Sequence, residues 1–392
     1  MIFDTEYIVK KINVIRKDDT IKNESDLADA IKNNTLLTET LLSAFTDLRL
    51  KISEHMRLDR VLFLFGNGAS IYAGSKDTRT FSLSQFSNKK EYKSIGDIIQ
   101  NIEGYGIEEQ LNALITVRSY YNIMKDKKES IVSNLINEIK NDLIDNFVNS
   151  IDYAKLNLHE VFLLKLRSFG CLSRSSIYTP NYDLAFEYMM DKLRIEYSDG
   201  FSGFVNRVFD PRTLVNNVKT SIIKIHGSVN WKSEDDKIKE FQPRFSEHKV
   251  VIDDKAPVLI YPTSDKLYQT YSTPYSELMR HMLDEMGTGK NVIIVLGYKY
   301  GDDHINEILQ KSIENPNNIY YFFLYNPNEN SEFVERIKTL CESMPNINLL
   351  TGNILASFDM FVKYIMPALP EKTDQEKAFE LLKGVLMGDE KQ

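Results

Sequence analysis

From about residue 175 onward, apolar runs of five to seven residues alternate with longer amphipathic stretches, and this alternation limits the possible folds more than any single motif does. SSIYTP is followed by the helical pattern YDLAFEYMMDKLRI, then by SIIKIHG, KVVID and PVLIYPT. A helix over 274–286, NVIIVLGY, a helix over 303–314, NIYYFFLYN, a helix over 331–343, NINLLTG and a helix over 354–365 complete the series. A strand that is apolar at every position is buried on both faces, as in a parallel sheet covered by crossover helices. VLFLF (61–65) is one more such run. The chain is therefore expected to be α/β: a Rossmann-like doubly wound parallel sheet with a large α-helical insertion and a helical N-terminal extension.

The extension is placed at 1–58. Its stretch ESDLADAIKNNTLLTETLLSAFTDLRLKI repeats apolar residues three and four apart, with Ser25 as the candidate N-cap. The sheet domain is placed at 59–368, with the insertion at 85–170, which has no proline and no glycine between Gly106 and Gly170. A tail over 369–392 carries a short amphipathic piece, AFELLKGVLM. These helices hold more apolar surface than one sheet needs for its faces, which points to a homo-oligomer.

At 42% hydrophobic and 27% charged residues, the 392-residue chain can bury a full core without covalent staples. A net charge of −8 gives no electrostatic reason to bind a nucleic-acid backbone. The N-terminus has no apolar leader, and no run approaches the ~18 apolar residues of a membrane span, so a soluble cytoplasmic protein is expected. Two cysteines, Cys171 and Cys341, cannot make a four-cysteine zinc ribbon, and the six histidines include no pair at i, i+4. No metal is expected.

Ligands of doubly wound sheets lie beyond the carboxyl ends of the strands, so the residues placed there carry the functional reading. After VLFLF comes GNGASIYAG (66–74), in which Gly66, Gly68 and Gly74 suit either a nucleotide seat or a tight turn. The spacing departs from G-x-G-x-x-G, because Ile71 stands where the third glycine would be. After SSIYT comes PNYD, where Asn181 can hold a hydroxyl or a water, while Asp183 suits either that task or a helix cap. After SIIKI come His226, Gly227 and Ser228, at a sharp backbone bend; an imidazole there is either structural or a general base. After NVIIVL come Gly297, Tyr298, Asp302, Asp303 and His304. Tyr298 can stack on a base or pack in the core, the two aspartates are cap candidates, and His304 is read as structural.

Taken together and in order, G-x-G-A-S-x-x-A-G, Asp77-x-Arg79, T-P-N-Y-D (179–183), K-I-H-G-S-V-N-W (224–231) and L-G-Y-K-Y-G-D-D-H-I (296–305) resemble the sirtuin-like family. The resemblance runs from about 60 to 365, interrupted by the helical insertion. It implies that Gly66, Gly68, Ala69 and Ser70 cradle the NAD diphosphate, that Asn181 and Asp183 hold the nicotinamide ribose and a water, and that His226 is the base. By the same resemblance Asp77, Arg79, Gly227, Gly297, Tyr298 and Asp302 join the nucleotide site. Asp77 and Arg79 match less closely, since Lys76 and Thr78 replace the family's proline and phenylalanine.

Other departures matter too. The zinc ribbon of the deacylases is missing, Asn67 replaces the usual alanine, and Thr179-Pro180 stands where a deacylase has glutamine. The chain is thus more similar to bacterial sirtuin-like NAD-consuming domains of antiphage defence. That likeness implies hydrolysis of NAD to nicotinamide and ADP-ribose, and a partner such as a HerA-type ATPase or an Argonaute. The alternatives are an NAD-dependent deacylase or ADP-ribosyltransferase, and a catalytically silent nucleotide-binding sensor or scaffold.

Overall fold

The computed structural model describes residues 2–33, 38–58, 60–76, 81–145, 150–215, 219–251 and 273–367. Asp77, Arg79, the strand expected at PVLIYPT and the tail at 369–392 lie outside the described residues. In chain order the strands are β1 (Ile2–Phe3), β2 (Arg60–Phe65), β3 (Ser175–Thr179), β4 (Tyr197–Ser198), β5 (Phe201–Ser202), β6 (Arg207–Phe209) and β7 (Thr220–Lys224). They continue with β8 (Trp231–Glu234), β9 (Lys237–Glu240), β10 (Arg244–Ser246), β11 (Lys249–Val251), β12 (Asn291–Leu296), β13 (Ile319–Leu324) and β14 (Ile347–Thr351).

Eight strands form one parallel sheet in the order β1-β14-β13-β12-β2-β3-β7-β4. Successive side chains of a strand point to opposite faces, and here both faces are core. In β2, Val61, Phe63 and Phe65 enter one apolar cluster while Leu62 and Leu64 enter the other. β12 divides the same way, with Val292, Ile294 and Leu296 opposite Ile293 and Val295. This double burial is why the strands read as unbroken apolar runs, and each fully buried Leu or Phe contributes about 1.5–3 kcal/mol. The crossover from β2 to β3 ends in helix Asn157–Ser168, whose Phe162 meets Phe63 and Phe65 edge-on at 5.0 and 5.2 Å. Strand β2 has its successor β3 on one side and β12 on the other. The order therefore reverses at β2, and the crevice beyond the ends of β2, β3 and β12 is the ligand position of such folds.

The residues between β2 and β3 build a core of their own. Helices Ile107–Met124 and Lys128–Leu143 share Leu111, Leu114, Leu135, Ile136 and Ile139 with Leu83, Phe86, Tyr92 and Ile99, without a residue from the sheet.

Four differences from the sequence expectation have physical reasons. The N-terminal segment begins not as helix but as β1, which extends the sheet edge by pairing Ile2 with Leu349, ahead of helices Thr5–Arg16, Glu24–Lys32, Thr38–Ala44 and Thr46–His55. The cap of Glu24–Lys32 is Asn23, not Ser25: its backbone is extended and its side chain accepts from the Asp26 amide at 3.0 Å, which leaves Ser25 inside the first turn. Asn23→Ala should therefore cost about 1 kcal/mol in urea unfolding while Ser25→Ala stays within about half of that. KVVID does not join the parallel sheet; β11 pairs antiparallel with β10, and only Val250 of its three residues is buried. The helix expected over 354–365 is a short α-turn, Phe358–Met360, continued by a π-helical turn over Phe361–Ile365.

A separate antiparallel sheet, β5-β6-β9-β8, follows the end of β4. No helix among the described residues is long and apolar enough to cross a membrane.

Candidate functional site

The loops after β2 and β12 interlock through their backbones. Gly66 N–H donates to Leu296 O at 3.0 Å and Gly68 N–H to Gly297 O at 2.9 Å. A Cβ on Gly66 would sit 2.4 Å from Gly297 O, and one on Gly68 would sit 2.6 Å from Gly297 Cα. Gly297 itself has φ of 68°, where a side chain is strained. Close packing between two strand ends thus accounts for glycine at all three positions. The amides of Ala69 and Ser70 close onto Gly66 O and Asn67 O at 3.0 and 2.9 Å, and both residues are fully buried. The Ser70 hydroxyl differs, being buried with no hydrogen-bond partner.

The end of β3 is stitched to this turn. Thr179 Oγ1 donates to Phe65 O at 2.7 Å and accepts from the Asn181 amide at 3.0 Å. The Asn181 side chain donates from Nδ2 to Gly66 O at 3.2 Å, which sets the carboxamide against the glycine turn. Asp183 is buried, and its Oδ1 accepts from Ala185 N–H at 3.0 Å, a local turn leading into helix Ala185–Lys192. Sequence reasoning missed Lys224, the last residue of β7. It is buried, its Nζ donates to Asp183 O, and it lies 3.4 Å from Glu187 Oε1. Burial pushes the Glu187 carboxyl above its usual range, against the pull of the Lys224 charge. A lysine inside an otherwise apolar run signals such a buried anchor.

The loop after β7 is held to the loop after β3 by Ile225 N–H to Thr179 O at 3.0 Å and Val229 N–H to Tyr182 O at 3.2 Å. Gly227, with φ of 90°, makes the bend. His226 is only 5% exposed, and its Nε2 lies 2.8 Å from Nε2 of His304, at the start of helix Asp303–Ser312. His304, read from sequence as structural, is thus the direct partner of the candidate base. The pairing joins segments 78 residues apart, beyond the reach of any local spacing rule. At that distance one nitrogen carries the hydrogen and the other accepts it. Beside them the Ser228 hydroxyl, like that of Ser70, is buried without a partner.

Tyr298 is buried in the core, edge-on to Tyr300 at 5.2 Å, with its hydroxyl accepting from the Asp302 amide at 3.1 Å. Its ring is packed among protein atoms and offers no open face for a base. Asp302 occupies the N-cap position of Asp303–Ser312, yet its side chain makes no capping hydrogen bond. Instead a carboxylate oxygen lies within 4.8 Å of ring nitrogens of both His226 and His304.

A cavity of about 690 Å³ opens next to these loops rather than over the glycine turn, between Leu184, Glu187, Tyr197, Arg207, Asn230 and Glu240. Burial, reinforced by the Asp199 charge, pushes the Glu240 carboxyl up; Asn230 Nδ2 donates to it at 2.9 Å. The structure therefore brings Gly66, Gly68, Ala69, Ser70, Asn181, Gly297 and the His226–His304 pair to the same edge of the sheet. Tyr298 it assigns to the core, and the Asp183 carboxylate to a turn.

Comparison with known proteins bears on the same segments. A protein-family model described as a SIR2-like domain matches residues 175–342, from β3 through helix Glu332–Ser343, including Asn181, His226 and His304 but not the glycine turn after β2. No curated protein matches. Among solved structures, a Sir2 mutant with p53 peptide and NAD is similar at 11% identity, with 81% of this chain and 96% of that chain covered and a TM-score of 0.36. The segment similar to the SIR2-like domain model thus spans the strand ends that carry Asn181, His226 and His304.

Proposed function

We propose that the chain is an NAD⁺ glycohydrolase, which cleaves NAD⁺ with water to nicotinamide, ADP-ribose and a proton. One observation carries this reading: the Asn181 carboxamide touches the glycine turn after β2, where the strand order reverses, and the His226 imidazole follows β7, the strand next to the one that Asn181 follows. The fit of NAD rests on Ser70 and Ser228, two buried hydroxyls without protein partners in the loops that flank that point. They suit the acceptor oxygens of a diphosphate and the hydroxyls of a ribose.

Breaking the bond from C1′ to the pyridinium nitrogen expels neutral nicotinamide and leaves an oxocarbenium-like ribose. Asn181 orients the attacking water through its amide, and His226 takes the proton that the water releases. His304, bonded to His226, fixes the ring's orientation and tautomer. The buried setting of the pair excludes bulk water from the base. The finer role, an NAD-depleting effector of bacterial antiphage defence working with a HerA-type ATPase or an Argonaute, rests on sequence resemblance alone.

The test is nicotinamide release from NAD⁺ by the purified full-length chain, without any acylated peptide. Asn181→Ala should lower it by about 10²-fold or more, through loss of the positioned water. A silent sensor draws on a different observation: the amides of Gly66, Gly68, Ala69 and Ser70 are already engaged by the chain. That reading expects NAD or ADP-ribose to bind and stay intact in the same assay. Release unchanged by Asn181→Ala would refute the proposed site.

A further inference from the structure

We infer that His226, Asp302 and His304 form a site for a divalent first-row transition ion of octahedral preference, such as Co²⁺ or Ni²⁺. The donors come from two separate segments, the loop after β7 and the start of helix Asp303–Ser312, and one ligand atom from each lies within 4.8 Å of the others. Two imidazoles and one carboxylate on a single side of an ion make a donor set that first-row metals favour, leaving the remaining positions to water.

The separation of the two imidazole nitrogens selects the geometry. At metal–nitrogen bonds of about 2.1 Å, nitrogens 2.8 Å apart subtend about 84° at the ion, near the 90° between neighbouring octahedral ligands. A tetrahedral ion with the same bond lengths would need the two nitrogens about 3.4 Å apart, so they would have to separate further. The ion-free arrangement already holds both Nε2 atoms 2.8 Å apart, so binding asks the rings to turn towards the ion rather than to travel to it. Asp302 supplies the charge: its carboxylate makes no capping bond, and it opposes the positive end of the helix that would otherwise repel a cation.

On binding, the hydrogen bond between the two Nε2 atoms breaks and two nitrogen–metal bonds and one oxygen–metal bond form. The bridging proton passes through solvent to Nδ1 of the ring that carried it, so both rings remain neutral. The lone pair of His226 Nε2 is then committed to the ion. An occupied site therefore silences any reaction that needs this nitrogen as a base, although metal binding does not depend on which reaction that is.

The experiment uses the full chain with its purification tag removed and chelator dialysed away, titrated calorimetrically with Co²⁺ and then Ni²⁺. One ion per chain is expected, with an upward shift in melting temperature on saturation. His304→Ala and the conservative Asp302→Asn should each weaken binding by at least about tenfold, in proteins shown by circular dichroism to be folded like the parent. The inference is overturned if no ion binds, or if Asp302→Asn and His304→Ala bind as tightly as the parent, which would place the ion elsewhere on the chain.

Discussion

His226→Ala is expected to reduce nicotinamide release by about 10²–10⁴-fold, the range contributed by a positioned general base. The imidazole is buried and its Nε2 is paired with His304, so the substitution removes both the proton acceptor and one hydrogen bond. The stability cost of that bond is about 1 kcal/mol, too small to unfold a domain with two extensive cores. The loss should therefore fall on kcat, with the affinity for NAD changed little and the melting curve near that of the parent. His304→Ala should produce a smaller loss in kcat, because the surviving imidazole loses the hydrogen bond that orients it. Turnover by His226→Ala equal to the parent's would mean that the proton is taken by another group, and the assignment of the base would fall.

Much of the sheet was legible because burial on both faces keeps β2, β12 and β13 apolar beyond the Arg60 and Asn291 that open the first two, whatever the helices around them do. The same logic failed for β11, where a three-residue run of lysine and two valines buries one side chain in a hairpin. It was also blind to β1, since two residues at a sheet edge carry no pattern. In the site, strand-end placement pointed to Asn181 and His226, because those positions follow directly from where the apolar runs stop. His304 and Lys224 were harder to see. The role of each is set by a residue more than 35 positions away, and a lone histidine or lysine gives no local sign of its partner. The glycines after β2 show a different ambiguity. Permission for close approach is legible in sequence, but whether the approaching atoms belong to a nucleotide or to Gly297 is not.

That ambiguity yields the second large effect, on stability rather than turnover. Gly66 has φ of −87° and ψ of −172°, values that alanine adopts without strain, so conformational preference alone would allow Gly66→Ala. Sterics do not. The new methyl would lie 2.4 Å from Gly297 O and 2.5 Å from Tyr298 Cα, both backbone atoms of a loop anchored by β12 at the centre of the sheet. Neither atom can move without breaking the Gly66–Leu296 and Gly68–Gly297 hydrogen bonds. Overpacking against fixed backbone costs about 3 kcal/mol or more, a large share of the 5–15 kcal/mol by which domains of this kind are typically stable. Gly96→Ala provides the control: Gly96 opens helix Gly96–Ile102, and a Cβ there meets nothing within 4 Å, so it should be neutral or stabilise by about 0.5 kcal/mol. Urea midpoints of the two variants should therefore move apart, with Gly66→Ala well below the parent and Gly96→Ala at or above it. A midpoint for Gly66→Ala at the parent's value would show that the two strand ends are not locked together, and with that the fixed placement of Asn181 against the turn would be lost.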